Sequence, residues 1–471
     1  MKSHIYLIIF LSCSMLISCT GQQKTKEQEE KPFEKGKIIS KVNCHKNATH
    51  AYALYLPLNY SEEKKSPLII CFDPTANGLI PLELLKSCAE KYGYILAGSL
   101  VSRNGMTWET AAAHYDIMLE DIEARFSIDP GRIYTCGFSG GARVASSVAI
   151  IKGGIAGVIG CSGGFPQTKD AIKSKFDFFG FAGDQDMNYA EMLRLDMALE
   201  KNNFRRQFVV FEGTHGWPPK EEFNEVFLWM ELNAMKDNKI PADTNFINQH
   251  FEEQKQLLEN ARKNGNKFKE YLLIKKMVSY FKGIADTKSM EEQHQVLAGN
   301  SVVKNYLQQE ELNLKRELAM QQQYAQKLTT ENATWWKAEV VKLNQFLTFS
   351  NQSNDKAIVK RILEYLSLAA FSASNSSISQ NKTEEAHHYI ELYSIIDTDN
   401  PEPEAMFARI FAQKKDDEKV LTHLRKAAKL GFSDKSRFEN DTLFMRFFQD
   451  TAFINIMKLV ENNKKLFLFQ K

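Results

Sequence analysis

From about residue 38 to 236, short apolar runs alternate with stretches in which apolar residues recur every three or four positions. HAYALYLP (50–57) alternates like a strand with one covered face. PLIICFD (67–73) and YILAGSLV (94–101) are continuous apolar runs, as expected of strands covered on both faces. TWETAAAHYDIMLEDIEARF (107–126) has helical spacing, and RIYTCGF (132–138) predicts a strand that runs into a helix through Ile150. IAGVIGCSG (155–163), FDFFGFAG (176–183) and RQFVVFEG (206–213) predict further strands, with helices over 187–202 and 219–236. Such alternation predicts a mainly parallel sheet with helices on both faces. HAYALYLP reaches the next strand without a helix between them, so it is expected to pair antiparallel at an edge.

The pattern changes at KDNKIPADTNFI (236–247), which is polar and contains Pro241. Beyond it the chain reads as helical: glycine is sparse, and apolar residues keep a three- and four-residue spacing, as in FEEQKQLLENARKNGNKFKEYLLIKKMVSYFKG. FSASNSSISQNKTEE (371–385) reads as a loop between helical groups. Near the end, two helical stretches flank NPEPE, with small residues at Ala405, Ala408 and Ala412 and a C-cap glycine at Gly431. This part resembles a degenerate tetratricopeptide unit of about 34 residues. The expected domains are therefore 38–236, an α/β domain, and 245–471, an all-helical domain with a tetratricopeptide-like end.

The N-terminus stands apart. MKSHIYLIIFLSCSMLISC has an early lysine and an apolar core from Ile5 to Ile17, too short to span a bilayer comfortably. LISC, Leu16 to Cys19, resembles a bacterial lipobox. That resemblance implies a signal peptide over 1–18 and a lipid-bearing Cys19, with anchoring by more than one buried chain. Thr20, where Asp would retain many such proteins at the inner membrane, implies a bacterial cell-envelope location at the outer membrane. Residues 19–37 are polar and charged, with little to bury, and read as a tether.

Overall composition narrows the partners. A formal charge of +2 over 471 residues, without a basic stripe interleaved with aromatics, argues against nucleic acid. C-x-x-C and H-E-x-x-H are absent, so no metal site is suggested. Cys71, Cys136 and Cys161 lie in apolar runs and read as small buried hydrophobes. Cys44 and Cys88 are candidates for a pair in an oxidising compartment, which spacing alone does not establish.

Candidate chemistry sits at the end of RIYTCGF, where Gly137, Ser139 and Gly141 form Gly-x-Ser-x-Gly. With Gly and Ser each near ~7% of residues, a chain of this length matches by chance about one time in six. Context adds specificity: a strand precedes Ser139, and small residues open a helix after it, as a strained nucleophile turn requires. The Gly140 N–H is placed to donate to an oxyanion. A second donor is expected from CFDPTANG (71–78), where Pro74 has no N–H and Thr75 or Ala76 are the candidates. A serine needs a base, and His215, in the glycine-flanked GTHGWPP loop after a strand, is the best placed of ten histidines. The acid is expected in FAGDQDMNYAEM, at Asp184 or Asp186, with Asp186 preferred as lying deeper in the loop. The order Ser139, Asp186, His215 is that of α/β-hydrolases.

AYALYLP, FDP, GFSGGARVA, AGDQDMNY and GTHGWPP together resemble the polyhydroxybutyrate-depolymerase and feruloyl-esterase branch of the α/β-hydrolases, over roughly residues 45 to 235. The resemblance implies a serine esterase with Ser139 as nucleophile, Asp186 as acid and His215 as base, and no metal or organic cofactor. Its substrates would be esters, including carbohydrate- or polymer-linked ones. Arg103 and Asn104 in VSRNG (101–105) would line the substrate cleft, and Trp217 would wall it. The helical part would cap the site or bind a protein partner. Two other readings stay open: a non-catalytic hydrolase-fold scaffold whose helices bind a partner, and a serine peptidase on the same fold.

Overall fold

The computed structural model describes residues 33–167 and 171–469, and side chains up to Asn463. The expected signal segment 1–18, Cys19 and residues 20–32 of the tether lie outside the described residues.

Eight strands form one sheet: β1 Ile38–Asn43, β2 Ala51–Tyr55, β3 Ser66–Phe72, β4 Ile95–Ser99, β5 Ile128–Phe138, β6 Gly157–Cys161, β7 Asp177–Gly183 and β8 Arg206–Phe211. Their spatial order is β1-β2-β4-β3-β5-β6-β7-β8. β2 is antiparallel to both its neighbours, and the pairs from β4 onward are parallel. This is a mainly parallel α/β sheet domain with helices on both faces, followed by a helical region. HAYALYLP was expected at an edge, but β1 covers it, so β2 is interior. IISKVN, with its mixed polar pattern, carries too weak a period to mark that edge strand.

Helices α1 Leu79–Tyr92 and α5 Phe223–Lys236 cover one face of the sheet, and α2 Trp108–Arg125, α3 Gly140–Lys152 and α4 Tyr189–Lys201 the other. The two faces explain the cysteines. Cys44 belongs to the core under α2 and α3, whereas Cys88 lies under α5 on the opposite side of the sheet. Both are free and buried, so the candidate Cys44–Cys88 pair does not form. Cys71, Cys136 and Cys161 are fully buried in neighbouring strands.

The helical region comprises α6 Thr244–Lys263, α7 Lys267–Phe281, α8 Lys288–Ala298, α9 Ser301–Thr330, α10 Ala333–Phe349, α11 Ser353–Ser379, α12 Thr383–Ile396, α13 Glu402–Gln413, α14 Asp417–Lys429, α15 Ser436–Glu439 and α16 Thr451–Phe469. The first three share the core of α1 and α5: Ile247, Phe251, Ile274, Met277 and Phe281 join Phe223, Phe227 and Trp229 in one cluster. The polar stretch near 236–247 therefore interrupts the sequence pattern but not the packing. A second core runs from Tyr324 to Val460. The segment expected as a loop at 371–385 is helical through Ser379 and turns only at 380–382. Two of its serines are buried: Ser374 Oγ donates to Ala370 O at 2.7 Å and Ser377 Oγ to Glu385 Oε1 at 3.0 Å. Those bonds satisfy hydroxyls that otherwise favour non-helical backbone. No helix among the described residues is long and apolar enough to cross a membrane.

Candidate active site

Ser139 stands between β5 and α3 with φ 52° and ψ −117°, a conformation that side chains rarely adopt. The turn is held from several directions. A Cβ on Gly137 would stand 2.2 Å from Gly141 O, and one on Gly141 2.2 Å from Phe72 O, so both positions require glycine. The Ser139 N–H donates to Cys161 O at 2.8 Å, and a Cβ on Gly163 would lie 2.5 Å from Ser139 O. The elbow is thus wedged between the ends of β3 and β6.

Three side chains meet there. His215 Nε2 is 2.9 Å from Ser139 Oγ, and His215 Nδ1 is 2.9 Å from Asp186 Oδ1. Asp186 is fully buried; its Oδ1 also accepts from Asn188 N at 2.8 Å. His215 packs on Phe138, with ring centroids 4.8 Å apart. Ser162, itself at φ 52°, donates from its hydroxyl to Gly216 O at 3.1 Å, while Asn188 Nδ2 donates to Ser162 O at 2.7 Å. These two residues tie the end of β6 to both the acid and the histidine loops. Ser162 and Asn188 were not singled out from sequence; the only local trace is a Ser-Gly-Gly after a strand, a common turn composition.

Asp184 has a different job. Its Oδ1 accepts from Gly213 N at 2.9 Å and its N–H donates to Phe211 O, so it prolongs the β7–β8 pairing beyond the strands. Asp186 lies past that pairing and meets the imidazole.

The expected oxyanion donors divide. Gly140 begins α3, where its N–H has no intrahelical acceptor. Thr75 N–H is committed to Asp73 Oδ1 at 2.9 Å and Ala76 N–H to Asp73 O at 3.0 Å, so both close the turn around Asp73. The loop after β4 folds back over that turn through an Asn104 N to Pro74 O bond of 2.9 Å and a bridge between Thr75 and Arg103. It places the Asn104 carboxamide directly over Gly140: a Cβ there would meet Asn104 Oδ1 at 1.7 Å. Arg103 is exposed. Trp217 is half-buried, stacks obliquely on Phe138 and donates from Nε1 to Asp73 Oδ2 at 3.2 Å, joining the histidine loop to the β3 turn. Among the described residues no group of three or more His, Cys, Asp or Glu side chains is arranged to hold a metal ion.

The helical region reaches this site. A cavity of about 660 Å³ is bounded by Gln185, Met187 and His215 on one side and by Glu364, Phe371 and Asp397 on the other. Arg361 of α11 donates from Nη1 to Asp184 O at 2.5 Å and stacks over Tyr189 at 4.3 Å, while its remaining donors hold the fully buried Glu317 of α9. Lys360 Nζ donates to Gln185 Oε1 at 2.8 Å. In sequence these charges read as an ordinary solvated helix face.

No family model matches this chain, and no curated protein matches it. Solved structures similar to it include S-formylglutathione hydrolase (FrmB) from Staphylococcus aureus, at 15% identity over 41% of this chain and 98% of that one, TM-score 0.35. A ferulic acid esterase aligns at 16% identity over 41% and 96% of the two chains, TM-score 0.33. Est1E from Butyrivibrio proteoclasticus aligns at 15% over 40% and 95%, TM-score 0.32.

Proposed function

We propose that this protein is a serine hydrolase of carboxylic esters. The observation that carries the reading is the relay from Asp186 Oδ1 through His215 to Ser139 Oγ, with 2.9 Å at each contact and the serine held on a left-handed turn. Ser139 Oγ attacks the acyl carbon as His215 Nε2 takes its proton. Asp186 fixes the Nδ1–H tautomer and stabilises the imidazolium. The Gly140 N–H, at the start of α3, is a donor to the oxyanion. His215 then returns the proton to the leaving alkoxide, and the C–O bond to the alcohol breaks. A water deprotonated by His215 attacks the acyl-enzyme and releases the acid and Ser139.

Because His215 gives its proton to the leaving oxygen, the alcohol part of the substrate belongs on the side of His215. There the helical region lines a cavity in which Glu364, Asp397 and Asp399 outnumber Lys360. This lining favours a neutral or cationic alcohol over an anionic one. Carbohydrate- or polymer-linked esters, the substrates of the branch its motifs resemble, satisfy that condition. Lipid anchoring through Cys19 in a bacterial envelope is proposed on the sequence alone.

Labelling of the purified protein by a fluorophosphonate probe, beside Ser139→Ala, tests the reading. Labelling of the wild type that disappears in the variant is expected. A folded wild-type protein that takes no label, or a variant that labels equally, overturns it. Parallel ester and amide substrates separate esterase from peptidase.

A further inference from the structure

Glu364 stands where α11 meets both loops of the proposed relay. Its Oε2 accepts from the main-chain N–H of Met187, next to Asp186, at 3.1 Å. Glu364 also lines the same cavity as His215. One side chain, 177 residues along the chain from Met187, therefore pins the residue after the acid and stands in the same cavity as the imidazole. It is held there by its own helix: Lys360 and Arg361, four and three residues earlier, grip Gln185 and Asp184 O from the same face. Arg361 is in turn fixed by Glu317.

We propose that Glu364 is a positioning residue of this site, holding the acid loop in place and adding a second negative charge beside His215. The inference rests on the serine-hydrolase reading. The helical region would then be part of the catalytic machinery, since removing α11 would unpin the acid loop. The charge matters in one state only. When Ser139 loses its proton the imidazole becomes a cation, and a nearby carboxylate favours that cation over the neutral ring. The groups facing Glu364 are Asp186 and His215 from the loops and Lys360 from its own helix, with Asp397 and Asp399 across the cavity. Burial raises the Glu364 carboxyl above its ordinary range, and the Asp186 charge adds to this; the Met187 N–H bond and His215 oppose it.

Two substitutions separate positioning from mere docking. Glu364→Gln keeps an acceptor and the shape but removes the charge; Glu364→Ala removes both. The rate of fluorophosphonate labelling is measured from pH 5 to 9, beside wild type and Ser139→Ala. The proposal expects a loss of roughly 3–10-fold at the plateau for Glu364→Gln. It also expects the acidic limb to move down by roughly half a pH unit, because the imidazolium loses a stabilising charge. Glu364→Ala should lose more. A Glu364→Gln protein with the wild-type rate and an unmoved acidic limb overturns the proposal while leaving the hydrolase reading intact. Labelling that is indifferent to Ser139→Ala overturns the hydrolase reading itself, and this inference with it. Glu364→Gln, being isosteric, carries the test if the alanine variant does not fold.

Discussion

Replacing Ser139 by glycine should make the protein more stable than replacing it by alanine. At φ 52° and ψ −117° a residue with a Cβ is strained, and such backbone positions cost about 1–3 kcal/mol. Glycine relieves that cost but is freer in the unfolded chain, which returns about 0.5–1 kcal/mol. Both variants lose the hydroxyl and its contact with His215, so that loss cancels in the comparison. The glycine variant should therefore exceed the alanine variant by roughly 0.5–2 kcal/mol, although neither has a nucleophile. Urea unfolding followed by tryptophan fluorescence is the assay, since Trp229 is buried in the core under α5. The two variants must also be equally silent toward the probe. A glycine variant no more stable than the alanine variant would refute the strain, and with it the argument that the fold stores energy at this turn to present the hydroxyl.

Asp186→Asn should lower ester turnover by about 10³–10⁴-fold, as expected when the imidazole loses its tautomer partner. Asp184→Asn, which disturbs only the Gly213 contact, should stay within about tenfold in the same assay; equal losses would reassign the acid. Burial raises the Asp177 carboxyl to about 6, the Arg205 charge opposing it. The folded protein thus holds that proton more tightly than the unfolded chain, and stability falls as pH rises through 6. Asp177→Asn should add up to roughly 3 kcal/mol of stability at pH 8 and almost none at pH 4, measured by urea unfolding; a gain equal at both values would contradict that linkage.

Local period and turn chemistry made the strands, the sheet's helices and the serine turn legible, because each is written within ten or twenty adjacent residues. Gly137 and Gly141 illustrate this: the backbone contacts that exclude a Cβ involve neighbouring elements, but the glycines that permit them stand beside the serine in the sequence. His215 and the pair of aspartates were visible for the same reason, as polar residues at the ends of apolar runs. Other decisions needed the folded chain. Asp184 and Asp186 are two residues apart in similar surroundings, and only the continued β7–β8 pairing diverts one to Gly213 and leaves the other to His215. Cys44 and Cys88 were separated by the sheet itself. The commitment of Thr75 and Ala76 to Asp73, and the arrival of Asn104 over Gly140, depend on two loops folding together. Glu364 and Arg361 are the extreme case, since their helix lies more than a hundred residues from the loop they hold. A hydrophobic period reports which face of an element is buried; it carries no information about which distant polar group will be waiting there.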